Sequence, residues 1–244
     1  MYKTLSAMYY DVSKPIGTSL EGDLEFYLEL IKDKNHILEC GSGTGRLLIP
    51  YLEKGLDIEG VEPSSAMRSI CENHLKETAY QTKIYPNFFE KTDFSRQYDA
   101  IIIPTGTFCL FTDIEKTIVK AAEILEDEGL LAFDLIYPYH FILGHEETYQ
   151  LSLNDKEYVL LEHNHYAIDM KHQKTHEIFT YTHFQNGQKI ASEKEDFILY
   201  WHKVDDIIAL LEKHSFKIKK VLSKYQSEKI TNEDALITVV SVRI

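Results

Sequence analysis

Short apolar runs and stretches with a helical repeat take turns along the first 137 residues. Apolar runs predict strands at His36–Glu39, Asp57–Val61, near Lys83–Tyr85, at Ala100–Ile103 and at Leu130–Leu135. Helical periodicity predicts helices at Leu20–Lys32, Arg46–Lys54, Ser64–Thr78 and Ile114–Leu125. Gly55 suits the left-handed residue that closes a helix, and Ser64 or Ser65 suits a cap that opens one. Ala100–Ile103 is apolar without a break, as in a parallel strand covered on both faces. Strands alternating with helices in this way argue for a doubly wound, mostly parallel sheet.

The pattern changes after Tyr137. From about 148 to 201 polar and apolar residues alternate in twos, with strands at Tyr158–Asp169 and Thr175–Phe184. Asn186-Gly187 is a strong hairpin signal, and Asn154-Asp155 and Lys171–Lys174 are two further turns. Helix Val204–His214, strand Phe216–Leu222, a polar loop and strand Leu236–Arg243 then resume the first pattern. The expected architecture is an α/β unit of seven strands, formed by 1–138 and 202–244, with an antiparallel β-insert after strand five over 139–201.

The chain has 26 Lys and Arg against 39 Asp and Glu, a net charge of −13, which disfavours a nucleic-acid partner. Cys40, Cys71 and Cys109 form no CxxC pair, as expected of reduced thiols in a cytoplasmic protein. No apolar run of about 18 residues and no charged-then-apolar leader is present, so neither a membrane span nor secretion is expected.

Chemistry concentrates in Glu39-Cys40-Gly41-Ser42-Gly43-Thr44-Gly45, where the first strand turns into a helix. Glycines there let a ligand approach the backbone, and the helix start offers unpaired N–H groups. A phosphate-binding loop needs a lysine and a hydroxyl after its last glycine, yet Arg46 and Leu47 follow Gly45. A dinucleotide loop counted from Gly41 puts Arg46 at its third glycine, which disfavours nicotinamide or flavin. Glu62 follows Gly41 by 21 residues, the distance at which nucleoside-binding folds hold an acid for the ribose hydroxyls.

The E-x-G-x-G-x-G run resembles the first motif of the class I S-adenosylmethionine-dependent methyltransferases. Gly60-Val61-Glu62-Pro63-Ser64-Ser65-Ala66-Met67 is similar to that family's G-V-D-x-S-x-x-M, with Glu in place of Asp. Met8-Tyr9-Tyr10-Asp11 resembles an entry segment whose tyrosines close over the cofactor's sulfonium. Pro104-Thr105-Gly106-Thr107 stands where the nucleic-acid and glutamine amino-methylating branch carries Asn-Pro-Pro-Tyr or Asn-Pro-Pro-Phe, and so points away from that branch. The resemblance implies an antiparallel last strand and S-adenosyl-L-methionine as cofactor. It implies a cofactor site of Tyr10, Glu39, Gly41, Gly43, Gly45, Arg46, Glu62, Pro63, Met67 and Pro104. Relatives place an acid after strand three against the adenine amine, where this chain has Asn87 and Phe88.

Methyl transfer from a sulfonium needs alignment and exclusion of water more than a catalytic dyad, and the sequence presents no dyad. His140, just past strand five, is the candidate base, for an amine or hydroxyl acceptor. His163 and His165 fall on one face of a strand, with His172, His176 and His183 near, but no ligand spacing typical of zinc accompanies them. They read as surface or lid-lining residues, and no metal is expected. Tyr139, Tyr181 and Trp201 are candidates to line an acceptor pocket. The alternatives are a non-catalytic S-adenosylmethionine or S-adenosylhomocysteine binder, with a homodimer among its forms, a protein or RNA methyltransferase, and a nicotinamide enzyme.

Overall fold

Two short strands, Ile37–Cys40 (β1) and Ile58–Val61 (β2), lie side by side in parallel, Ile37 opposite Ile58. Ile84–Tyr85 (β3) extends this edge, while Tyr98–Ile103 (β4) pairs with β1 and with Leu125–Ile136 (β5). The computed structural model describes residues 2–226, 230–231 and 234–244, so part of the polar loop read before residue 236 lies outside the described residues. After a four-stranded sheet made of Glu146–Asn154 (β6), Glu157–Asp169 (β7), Lys174–Gln185 (β8) and Gln188–Tyr200 (β9), the chain returns through Phe216–Ser223 (β10) and Leu236–Arg243 (β11). The first sheet has the order β10-β11-β5-β4-β1-β2-β3, and β11 runs antiparallel to both neighbours.

Alternation along the central strands divides the core in two. Leu38, Ile101, Ile103 and Phe133 face one side, under Ile114–Ile124 (α5 in chain order) and the helix Val204–Lys213 (α6). Ile37, Ala100, Ile102 and Ala132 face the other, against Asp23–Ile31 (α2) and Leu48–Glu53 (α3). Side chains of successive residues point to opposite faces of a sheet, so unbroken apolar strands need a helical layer on each side. Thr4–Ser13 (α1) and Ser65–Lys76 (α4) complete the helices. No described helix is long and apolar enough to cross a membrane.

The second sheet is a meander in the order β6-β7-β8-β9. Its β8–β9 turn has Asn186 at φ 50° and Gly187 at φ 75°, the left-handed pair demanded by a tight hairpin.

The N-terminal region differs from the sequence reading, which has one helix over Leu20–Lys32. Helix α1 precedes it, and its end is capped from far away. Glu193 of β9 accepts hydrogen bonds from Leu5 N and Ser6 N, and Glu195 accepts from Lys3 N and Ser6 Oγ. Carboxylates satisfy the orphan N–H groups of a helix start and oppose its positive dipole end. Leu5 packs with Val159, Leu161 and Tyr181 of the second sheet, and Asp11 pairs with His74 of α4 at 2.9 Å. The helix is thus pinned to the second sheet at one end and to the first layer at the other. Strand β5 also starts earlier than Leu130, because Leu125 already pairs with Tyr98 before the ladder shifts register.

Candidate active site

The glycine loop closes the carboxyl end of β1. Gly41 has φ +79°, and a Cβ there would stand 2.6 Å from the Thr107 side chain. Gly45 has φ +91°, and its Cβ would stand 2.9 Å from Cys71 Sγ. Both glycines are therefore needed for packing as well as backbone conformation. Gly43 differs: its φ is +58° and a Cβ would meet only Gly41 O, at 4.0 Å. The loop is open to an incoming group at Gly43.

Two carboxylates flank this opening. Glu62, at the end of β2, accepts from Gly43 N at 3.0 Å and from Ser64 N at 2.7 Å. Burial raises its pKa, and those two backbone bonds oppose the shift. A carboxylate has about four lone-pair positions, so two remain for a pair of hydroxyls. Ser64 caps α4 by accepting from Met67 N, and Met67 is buried in the first turn of that helix. Glu39 is 3 % exposed, its Oε2 has no hydrogen-bond partner, and burial pushes its pKa up to about 8. A buried unpaired carboxyl oxygen is costly, and a cationic ligand group beside it removes that cost.

Arg46 is committed within the protein. Its guanidinium reaches Asp23 at 2.6 Å, Thr105 Oγ1 at 2.9 Å and Thr18 O at 2.7 Å, in a pair with both side chains buried. It binds α2 and the segment after β4 to the glycine loop. Tyr10, on α1, is turned toward Arg46, and burial raises its hydroxyl pKa while Arg46 opposes that. Its ring packs edge-on against Tyr2 at 5.7 Å, whereas Tyr9 packs against Tyr181 of the second sheet at 5.4 Å. The two tyrosines of the entry segment therefore face different layers.

Pro104 is buried at the end of β4, and Thr105 follows at φ +53°, held by Thr105 N donating to Asp134 Oδ2 at 2.7 Å. Asp134 is fully buried, also accepts from Thr238 and Tyr225, and has its pKa pushed up to about 6 by burial. Asn87 and Phe88 lie exposed past β3, with Lys91 above the Phe88 ring at 5.4 Å. Three residues on from Asn87, Glu90 carries a buried Oε2 without a partner.

A cavity of about 180 Å³ opens where β5 meets the second sheet, lined among others by Tyr137, His140, His165, Glu177 and Trp201. Packing connects it to the glycine loop. Thr107 sits against Gly41, and Ile136, on the cavity wall, sits so close to Gly106 that a Cβ there would be 2.2 Å away. His140 thus stands on the cavity wall, on the layer that ends in the glycine loop. Tyr139 is exposed and stacks on Tyr137, and Tyr181 lies under α1.

The sequence profile described as "Methyltransferase domain" matches residues 17–186. The chain belongs to the methyltransferase family. It is a class I member of the S-adenosylmethionine-dependent kind, with S-adenosylmethionine as the cofactor. Among curated relatives, the uncharacterized methyltransferase OB1106 of Oceanobacillus iheyensis is 29 % identical over 140 residues, 54 % of this chain and 64 % of that one. The aligned segments span about half the length of the curated relatives matched, at 44 %, 64 % and 52 %. A solved S-adenosylmethionine-dependent methyltransferase from Clostridium acetobutylicum has a TM-score of 0.77 at 17 % identity, covering 97 % of both chains. The sugar N-methyltransferase KedS8 from a Streptoalloteichus species also scores 0.77, at 21 % identity, covering 100 % of this chain and 94 % of that one. At these identities the likeness shows the fold.

For a methyltransferase, the residues present fit the cofactor: an open glycine turn, two acids around it and an unpaired buried carboxyl oxygen. Sequence reading misses Asp23, Asp134, Glu90, Glu193 and Glu195. Asp134 carries a readable signal, a lone acid in the apolar run Leu130–Leu135. Glu193 and Glu195 have no local signal, since their partners lie 187 to 192 residues away, and the Arg46 that pairs with Asp23 lies 23 residues on.

Proposed function

We propose that this methyltransferase transfers a methyl group from S-adenosylmethionine to an amine or hydroxyl of a small molecule held between the end of β5 and the insert. The observation that carries the reading is the cavity of about 180 Å³, which adjoins the glycine loop through Ile136, Gly106 and Thr107. Its volume suits a small reacting moiety, and a net charge of −13 opposes a polyphosphate acceptor. The name of KedS8, a sugar N-methyltransferase, agrees with this class of acceptor.

When bound, S-adenosylmethionine would supply a methyl group on a sulfonium: an acceptor lone pair in line would bond to the methyl carbon as the C–S bond breaks and S-adenosylhomocysteine leaves. Glu62 accepts from the ribose hydroxyls, and Gly41 and Gly43 face the amino-acid tail, with Glu39 beside its ammonium. Pro63 and Met67 shape the nucleoside side. Asn87 and Phe88, with Glu90 behind them, meet the adenine. Tyr10 presents its ring to the cationic end. Arg46 acts as a positioning residue that fixes Thr105 and the glycine loop, and Pro104 shapes the floor after β4. Helix α1, latched by Glu193 and Glu195, keeps water from the reacting atoms. His140 receives the acceptor's proton at an imidazole nitrogen. The insert, 139–201, caps the acceptor.

Incubation with methyl-labelled S-adenosylmethionine and a fractionated extract tests this. Label in the low-molecular-weight fraction is expected. Label in protein or RNA, or cofactor binding without any transfer, overturns the acceptor reading.

A further inference from the structure

The inner face of the insert, which carries Phe179, Tyr181 and Glu195 toward α1, also carries side chains that methyl transfer does not use. His163 and His165 are two residues apart on β7 and share that face. Glu177 of β8 stands directly opposite His165 in the ladder. One ligand atom from each of the three lies within 4.8 Å of the others. His163 Nε2 is 2.6 Å from Glu177 Oε2, and these two side chains are 14 % and 15 % exposed.

The surroundings hold both imidazoles in place. His165 stacks on Phe141 at 4.5 Å, and its Nδ1 is 3.2 Å from both Ile142 N and Ile142 O, so Nε2 is the nitrogen left to face Glu177. His163 stacks on Phe179 at 4.3 Å, and its Nδ1 is 3.7 Å from Glu147 Oε2. Glu147 is itself 3.2 Å from His145. A histidine ligand commonly gives its second nitrogen to a carbonyl or carboxylate, which fixes the ring and raises its basicity. Here the Ile142 backbone is within hydrogen-bond distance of one histidine, and the Glu147 carboxylate faces the other at 3.7 Å.

We propose that His163, His165 and Glu177 bind a first-row divalent metal ion of the zinc class. Two imidazoles and one carboxylate are a donor set for such ions, and three protein ligands leave a position open. Ligand atoms around tetrahedral zinc stand about 3.3 Å apart. The pair at 2.6 Å and the other separations, all within 4.8 Å, bracket that distance, so small side-chain rotations are what the ion asks for. His165 and Glu177 also line the cavity, so the open position faces it. An oxygen or amine lone pair of a molecule in the cavity is the class of fourth ligand. The site was not foreseen from sequence because its carboxylate comes from the neighbouring strand. It does not depend on the acceptor reading.

The test uses the full chain without an affinity tag, stripped with chelator and titrated with Co²⁺. One equivalent bound with visible d–d absorption, displaced by Zn²⁺, is expected. The double variant His163→Ala/His165→Ala should lose the absorption, and Glu177→Gln should lose it while keeping the shape of the side chain. Glu147→Gln should weaken binding about 10–100-fold. His176→Ala, whose ring pairs with Asp196 at 2.7 Å, should bind Co²⁺ as wild type does. S-adenosylhomocysteine titration of each variant checks that the fold is kept. No stoichiometric Co²⁺ binding by wild type, or absorption that persists in both ligand variants, overturns the proposal.

Discussion

The glycine-loop end and the insert put their polar side chains in place by different means. Around the loop, Glu39, Gly43 and Glu62 belong to one short stretch, and turn geometry with parallel pairing of β1 and β2 brings them together. On the insert, His165 meets Glu177, and Glu193 meets α1, only through strand register and long-range docking. A site built from local chain geometry tolerates change elsewhere. One built from register depends on every residue of the hairpins, since a slip by one turns all side chains to the other face.

The largest expected effect breaks the join between the loop and its surroundings. Arg46→Met leaves Asp23, 0 % exposed, without its cation, and should cost about 3–5 kcal/mol in denaturant unfolding. If the loss is under 1 kcal/mol, the buried pair does not hold this end together. On the insert side, His140→Ala should lower turnover by about 10²-fold or more while cofactor affinity stays, read from kcat and calorimetry. Equal loss of affinity would place His140 in the cofactor site instead. Glu62→Ala should weaken S-adenosylmethionine by about 1–3 kcal/mol through unmet hydroxyls. Unchanged affinity removes Glu62 from the site. Glu195→Gln should cost about 1 kcal/mol of stability by weakening the cap of α1, and should raise amide exchange there first.

The smallest effect is a pH dependence. The Glu39 pKa, about 8 in the folded chain, lies above its ordinary value of 4.5, so the buried carboxyl prefers its proton. Its contribution to stability is whole below pH 4.5 and is lost as pH rises through about 8. The free protein should lose melting temperature over that window, and Glu39→Gln should flatten the loss. A cationic tail beside Glu39 favours its ionised form, so cofactor binding should release a proton and tighten as pH rises toward 8. Calorimetry in buffers of different ionisation enthalpy measures that release.

Much of the first sheet was readable from sequence, because parallel strands buried on both faces leave unbroken apolar runs such as Ala100–Ile103. The Asn186-Gly187 turn was readable because its backbone geometry admits few residues. Helix α1 was not, since it opens at Lys3 with no side-chain cap of its own and takes Glu193 and Glu195 from 187 to 192 residues away. The pairing of Arg46 with Asp23 was hidden for the same reason, and the motif alone assigned Arg46 to the ligand.

The central claim is that the loop Gly41–Gly45 and Glu62 hold S-adenosylmethionine. Calorimetric titration of wild type and Glu62→Ala with S-adenosylmethionine, S-adenosylhomocysteine and NAD tests it most directly. Binding of the first two by wild type, weakened in the variant, with no response to NAD, is the predicted result. Tight NAD binding with no response to the other two would contradict it.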